Sequence, residues 1–112
     1  MHIAIEEIEH RIILRLSGRL DAQSAPILER KINQLIDEGH FYLLLDFNHI
    51  DYLSSAGMRI LLSSTKKVKP KKGAFVLFGI AEDVGEIIQM AGFDKILHIY
   101  STEKEALQQL IK

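Results

Sequence analysis

The 112-residue chain has no cysteine and no tryptophan, and only two prolines. Without thiols it cannot build a disulfide framework, a thiolate-held iron–sulfur cluster, a zinc finger or a cysteine nucleophile. Charge of one sign is not in excess either: 14 Lys+Arg face 15 Asp+Glu, for a net charge of −1. Nothing global therefore draws the chain to nucleic acid or to an anionic membrane. Apolar runs stop at about eight residues, as in Ala74–Ala81, short of the ~20 that a membrane helix needs. The N-terminal Met-His-Ile-Ala-Ile-Glu-Glu turns acidic at once and lacks the basic, then apolar, start of a signal peptide. A small, soluble, cytoplasmic domain is expected. With 47% apolar and 26% charged residues the composition is that of an ordinary globular core and surface.

No linker, internal repeat or low-complexity stretch divides the chain, so residues 1–112 are expected to form a single domain. His2 to Ile8 and Arg11 to Ser17 alternate in polarity and read as two strands. The short Glu9-His10 link between them suggests an antiparallel hairpin. Gly18-Arg19-Leu20-Asp21 breaks the pattern. A helix follows from about Ser24 to Glu38, with Ser24 as a cap, Pro26 tolerated in its first turn, and Leu28, Ile32, Leu35 and Ile36 on one stripe. Gly39 is placed to end it, and Gly73 and Gly92 fall at other element ends.

Phe41–Phe47 and Ala74–Phe78 are nearly continuous apolar runs, as expected of central strands covered on both faces. Met58, Leu61, Leu62 and Thr65 mark a helix from Ser55 to about Lys69. Val84, Ile87, Ile88 and Ala91 mark another. Ile96 to Tyr100 reads as a last strand, and Thr102 with Glu105 as a capping box for a final helix with Leu107, Leu110 and Ile111 on its apolar face. The order ββαβαβαβα implies an α/β fold: a mixed, mostly parallel sheet with an N-terminal hairpin and about four helices packed on it.

Loops at the carboxyl ends of parallel strands are the usual functional places. Two are expected here, Gly18–Asp21 and His49–Gly57. The second opens a helix with Ser54-Ser55-Ala56-Gly57. Serine at a helix start is a good cap, and Gly57 lets the helix approach the sheet closely. The same place has unpaired N–H groups and a partial positive charge, so a phosphate on a serine there is locally stabilised while it changes the surface shown to a partner.

These residues resemble the STAS domains, named for sulfate transporters and anti-sigma-factor antagonists. The resemblance spans essentially the whole chain. It includes Gly18-x-Leu20-Asp21, Leu44-Leu45-Asp46-Phe47 and Ile50-Asp51-Tyr52-Leu53-Ser54-Ser55-Ala56-Gly57-Met58. The compact size is similar to that of the stand-alone bacterial antagonists. The resemblance implies a regulatory binding domain rather than an enzyme. In such antagonists an unphosphorylated serine at this helix start allows binding to an anti-sigma factor, often also a serine kinase, and phosphorylation ends the binding. The family pattern is commonly Asp-Ser-Ser/Thr-Gly-Leu. Aligning the glycine implies Ser55 as the acceptor, with Ser54 as the lesser candidate, and a partner surface of Asp21, Ser54, Ser55, Ala56, Gly57 and Met58. Ser54 stands where the family carries an acidic residue. That departure supports an alternative, a non-phosphorylated accessory subunit docked on a transporter ATPase or a signalling scaffold.

Other constellations have plainer readings. Lys66, Lys67, Lys69, Lys71 and Lys72 cluster around Pro70 without interleaved aromatics. They read as a solvated helix end opposing the dipole, so no direct nucleic-acid partner is expected. His49 and Asp51 near Ser55 raise a hydrolytic site, but no Gly-x-Ser-x-Gly elbow is present. Asp46 is expected to satisfy backbone donors. His2, His10, His40, His49 and His98 lack metal-ligand spacing, and no cofactor is expected.

Overall fold

The computed structural model describes residues 1–109. The chain runs β1 (His2–Ile8), β2 (Arg11–Leu20), α1 (Ala25–Asp37), β3 (Tyr42–Leu53), α2 (Ser55–Val68), β4 (Ala74–Phe78), α3 (Glu82–Met90), β5 (His98–Tyr100) and α4 (Glu103–Gln109), with short 3-10 turns at Lys69–Lys71 and Phe93–Lys95. The strands form one sheet in the order β1-β2-β3-β4-β5. β1 and β2 are antiparallel, and the later neighbours are parallel.

That order decides where the helices go. Each parallel crossover steps one strand in the same direction, and right-handed crossovers then place α1, α2 and α3 on one face. Their stripes pack there: Leu28 and Ile32 of α1, Met58 and Leu61 of α2, and Val84 and Ile88 of α3 share a core with Leu14, Leu43, Leu45 and Phe75 of the sheet. Fully burying each such side chain contributes about 1.5–3 kcal/mol. The alternate strand residues Ile13, Leu44, Val76 and Phe78 point to the other face, where Ala106 of α4 covers them. Two arginines of β2 hold α4 there. Arg11 Nη1 donates to the Leu107 carbonyl at 3.1 Å, and Arg15 Nη1 donates to Glu103 Oε1 at 2.8 Å. The Thr102 hydroxyl accepts from the Glu105 N–H at 3.2 Å, which is half of the expected capping box. The expected apolar positions Leu110 and Ile111 lie outside the described residues.

Two expected loops are strand instead. β2 continues through Gly18 and Arg19 to Leu20, and β3 runs on to Leu53. Irregularities between Arg15 and Ser17 and between Gly18 and Arg19 break the ladder's even register. Beyond Phe47 the buried positions of β3 are Ile50 and Leu53, a three-residue spacing. Bulges destroy the period of two by which a strand is read. The last strand is also shorter than Ile96–Tyr100. Leu97 is buried against the helix-bearing face, and pairing with β4 starts only at His98.

The first hairpin closes on Glu9 and His10, both left-handed at φ 49° and 73°. This is the geometry of a two-residue turn that matches strand twist, and it costs side-chain-bearing residues about 1–2 kcal/mol each. Replacing the pair by Asn-Gly is therefore expected to raise stability by about 1–2 kcal/mol, seen as a higher urea midpoint at unchanged slope. A lower midpoint contradicts this reading of the turn.

Candidate functional site

The site lies where β2 and β3 end and α2 begins. The Ser54 N–H donates to the Leu20 carbonyl at 2.9 Å, which ties the two strand ends together. Ser54 is extended (φ −90°, ψ 169°) and is the N-cap residue of α2. Its Oγ accepts from the Gly57 N–H at 3.1 Å, and its carbonyl accepts from the Met58 N–H at 2.9 Å. So the helix cap expected from the Ser-Ser pair is Ser54, not Ser55. Ser54 provides the side-chain oxygen that an aspartate would offer at the same position, without the charge.

With the cap supplied, Ser55 is left exposed as the first residue of α2. Among the described residues the N–H groups of Ser55 and Ala56 have no hydrogen-bond partner. They stand at the positive end of a 14-residue helix. Ser54→Ala is expected to lower stability by about 1 kcal/mol, while Ser54→Asp keeps it. Thermal unfolding of the two variants checks this, and equal losses in both would remove the cap from the account.

Gly57 sets the distance between this helix start and the strands. A Cβ there would lie 2.7 Å from Leu20 Cγ and 3.0 Å from both the Leu20 carbonyl oxygen and Leu53 Cδ1. Those contacts leave no room for a methyl group, so the glycine permits the close packing that holds Ser55 at the sheet end. Met58 is buried and belongs to the core with Leu61. Of the expected partner surface, Ser55 is exposed, Asp21, Ser54 and Ala56 are half-buried, and Gly57 and Met58 are interior.

Asp21 follows Leu20 directly and organises the entry to α1. Its Oδ1 accepts from the N–H groups of Gln23 and Ser24, each at 3.0 Å. The Ser24 N–H is the main cause that holds its carboxyl below the usual carboxylate range, with the Gln23 N–H helping against partial burial. The expected side-chain cap of α1 by Ser24 is not formed. The Ser24 hydroxyl is turned the other way, donating to the Arg19 carbonyl at 2.7 Å and accepting from the Asp21 N–H at 2.9 Å. The bulged end of β2 offers these closer partners, so the loop is braced rather than the helix.

Residues without a local sequence signal sit around this place. The Arg19 guanidinium lies 4.0 Å from the centre of the Tyr52 ring. The two are register partners on β2 and β3, so only the extended pairing reveals them as neighbours. A shallow depression of about 240 Å³ between α1 and α2 is lined by Ala22, Ala25, Pro26, Ala56, Arg59 and Ile60. His49 and Asp51 are exposed on β3, and among the described residues no hydrogen bond joins either to Ser55. The five lysines at the far end of α2 are exposed, and Lys67 Nζ donates to Asn33 Oδ1 at 2.8 Å. Asp46 lies on β3 away from Ser55, where its Oδ1 accepts from the Asn48 N–H and its Oδ2 from Arg15 Nη1, each at 2.9 Å. No helix of the described residues is long and apolar enough to cross a membrane.

The comparisons with known proteins agree with this geometry. The chain is 27% identical to the anti-sigma F factor antagonist of Paenibacillus polymyxa, over 98% of this chain and 97% of that one. It is 28% identical to the anti-sigma-F factor antagonist RsfB of Mycobacterium tuberculosis, over 85% of this chain and 77% of that one. An anti-sigma factor antagonist from Mycobacterium paratuberculosis superposes with a TM-score of 0.89 at 25% identity, covering 97% of this chain and 92% of the other. The unphosphorylated form of the antagonist SpoIIAA superposes at 0.83 with 21% identity, covering 97% and 96%. The STAS domain family model matches residues 2–106. By the match over residues 2–106 and by its mixed five-stranded sheet, the chain belongs to the STAS domain family.

Proposed function

We propose that the chain is an anti-sigma-factor antagonist that binds its anti-sigma factor through the start of α2 while Ser55 is unmodified. The partner is a serine kinase, and phosphorylation of Ser55 ends the binding. The observation that carries this reading is the position of Ser55: exposed, first in α2, and relieved of capping by Ser54. The names of the curated relatives support the partner class.

The chemistry is phosphoryl transfer from ATP to the Ser55 hydroxyl. The oxygen forms the new bond to phosphorus as it gives up its proton, and ADP leaves. The product phosphate carries about −1.5 to −2 charge at neutral pH. The unpartnered N–H groups of Ser55 and Ala56 and the helix dipole stabilise it in place. Phosphorylation therefore leaves α2 folded and acts by placing charge on the contact face. Ser54 is the poorer acceptor, since it is half-buried and its oxygen is engaged by Gly57.

Ser54 in place of the family's acidic residue favours a second reading, a non-phosphorylated accessory subunit that docks an ATPase of a membrane transport complex or a signalling scaffold through the same face. One experiment separates the two. The protein is captured from its native host with its partners, and the tryptic peptide Ile32–Arg59 is mapped for phosphate. The first reading expects phosphate on Ser55 and an anti-sigma factor of kinase type in the capture. An unmodified peptide in every growth condition, with a transporter ATPase recovered instead, overturns it.

A further inference from the structure

β1 is an open margin of the sheet, paired on its inner side with β2 and nothing else among the described residues. The hairpin register decides which of its backbone groups face outward. Because Glu9 and His10 form a two-residue left-handed turn, Ile8 and Arg11 close it as a hydrogen-bonded pair. Alternation then makes Glu6–Ile13, Ala4–Arg15 and His2–Ser17 the other hydrogen-bonded pairs. The N–H and C=O groups of Ile3, Ile5 and Glu7 consequently turn away from β2. An edge of this kind is a template for another strand unless it is blunted by charged side chains, proline, a bulge or brevity. β1 is seven residues long, contains neither proline nor lysine, pairs with β2 in unbroken register, and confines its carboxylates, Glu6 and Glu7, to the end beyond the Ile3–Ile5 stretch.

The edge is complementary to itself in an antiparallel register centred on Ala4. Setting Ala4 of one copy against Ala4 of another puts Ile3 against Ile5 and His2 against Glu6. Three independent requirements are met together. The outward backbone groups of Ile3 and Ile5 meet each other. Ile3 and Ile5, which share the helix-bearing face with their partners Leu16 and Leu14, meet as apolar neighbours, and Ile5 is 40% exposed without such a neighbour. On the opposite face an imidazole meets a carboxylate. A shift that sets Ile5 against Ile5 places Ile3 beside Glu7 and His2 beside Ile8, and a one-residue slip turns the wrong backbone groups together.

We propose that two copies of this chain associate through antiparallel β1–β1 pairing, joining two five-stranded sheets into one across a two-fold axis at Ala4. The site at the start of α2 uses the ends of β2 and β3, so each copy keeps its own.

The test is sedimentation equilibrium of the full chain from low micromolar to near-millimolar concentration, with amide hydrogen exchange recorded at both ends of that range. The expected result is a monomer–dimer equilibrium, with Ile3 and Ile5 amides gaining protection as concentration rises. Ala4→Glu puts like charges together on the axis while facing Arg15 within its own chain, and is expected to weaken association at least tenfold. Ile5→Pro removes an outward N–H that β2 does not use, and is expected to do the same while circular dichroism stays native. A chain that is monomeric throughout overturns the proposal. So does a dimer that both variants leave unchanged, because it would use another surface.

Discussion

Ser55→Glu is expected to lose binding to the anti-sigma factor by about 2–5 kcal/mol, roughly thirty- to several-thousand-fold, while Ser55→Ala binds as the unmodified protein does. The large figure has a specific source. Ser55 is exposed at the centre of the proposed contact, so a partner that closes over it must desolvate whatever charge it carries. A hydroxyl or methyl group costs little there. A carboxylate there must shed its water under the partner, while the backbone N–H groups of Ser55 and Ala56 keep it pinned on the face. The folded state should be indifferent: α2 starts with no acidic residue in its first turn, and an added negative charge there is mildly favourable. Titration calorimetry against the anti-sigma factor, with thermal melts of the same samples, separates binding from folding. Equal affinities for the two variants would remove Ser55 from the switch.

Arg15→Ala is expected to lower stability by about 2–3 kcal/mol. Its guanidinium is shared by three carboxylates: Asp46 at 2.9 Å, Glu103 at 2.8 Å and Glu6 at 2.9 Å. Glu103 contributes most to holding Arg15 protonated far above the usual range, against the opposing effect of burial. The exposed pair with Glu6 and the half-buried pair with Glu103 are worth little alone. Asp46 is different, because its side chain is only 10% exposed and removing Arg15 leaves a buried charge that Asn48 alone cannot neutralise. The variant also frees α4 at Glu103 and so loosens the cover over Ile13 and Val76.

The pH dependence has a definite sign. Burial pushes the Asp46 carboxyl up, but the Asn48 N–H and side-chain amide, with Arg15, outweigh it, and the net displacement is downward. A depressed folded-state pKa means that the stabilisation is present above the unfolded carboxylate value near ~4 and is lost as pH falls through the lower folded value. Wild-type stability should therefore fall as pH drops below about 4, and in Arg15→Ala that acid slope should be smaller because less stabilisation remains to lose. Urea midpoints across this range check both statements. A parallel acid slope in the two proteins would show that Arg15 does not set the Asp46 charge.

The legible parts of this molecule are those with short-range periodicity. Leu28, Ile32 and Leu35 on α1, or the alternation of Ile12 to Leu16 on β2, need only their own neighbours to be read. The Glu9-His10 turn was legible for the same reason. What was hidden depends on pairing across the sheet. The bulges that carry β2 to Leu20 and β3 to Leu53 erase alternation, so these stretches read as loop and nothing local sets Arg19 on Tyr52. The Arg15 cluster joins residues 31 and 88 positions apart and has no local pattern. At the site, the Ser-Ser pair announced a capped helix start, and Gly57 a close approach. Which serine caps depends on one backbone conformation, the extended Ser54 held by the Leu20 carbonyl.

Ser55 is proposed as a phosphate-controlled contact. Its most direct test is to incubate the protein with its anti-sigma factor and magnesium–ATP, map the phosphate by mass spectrometry, and measure the affinity of the purified modified and unmodified forms for that partner. One phosphate is expected, on Ser55, with a loss of affinity of the size expected for Ser55→Glu. A phosphate elsewhere, or two forms that bind equally well, would contradict it.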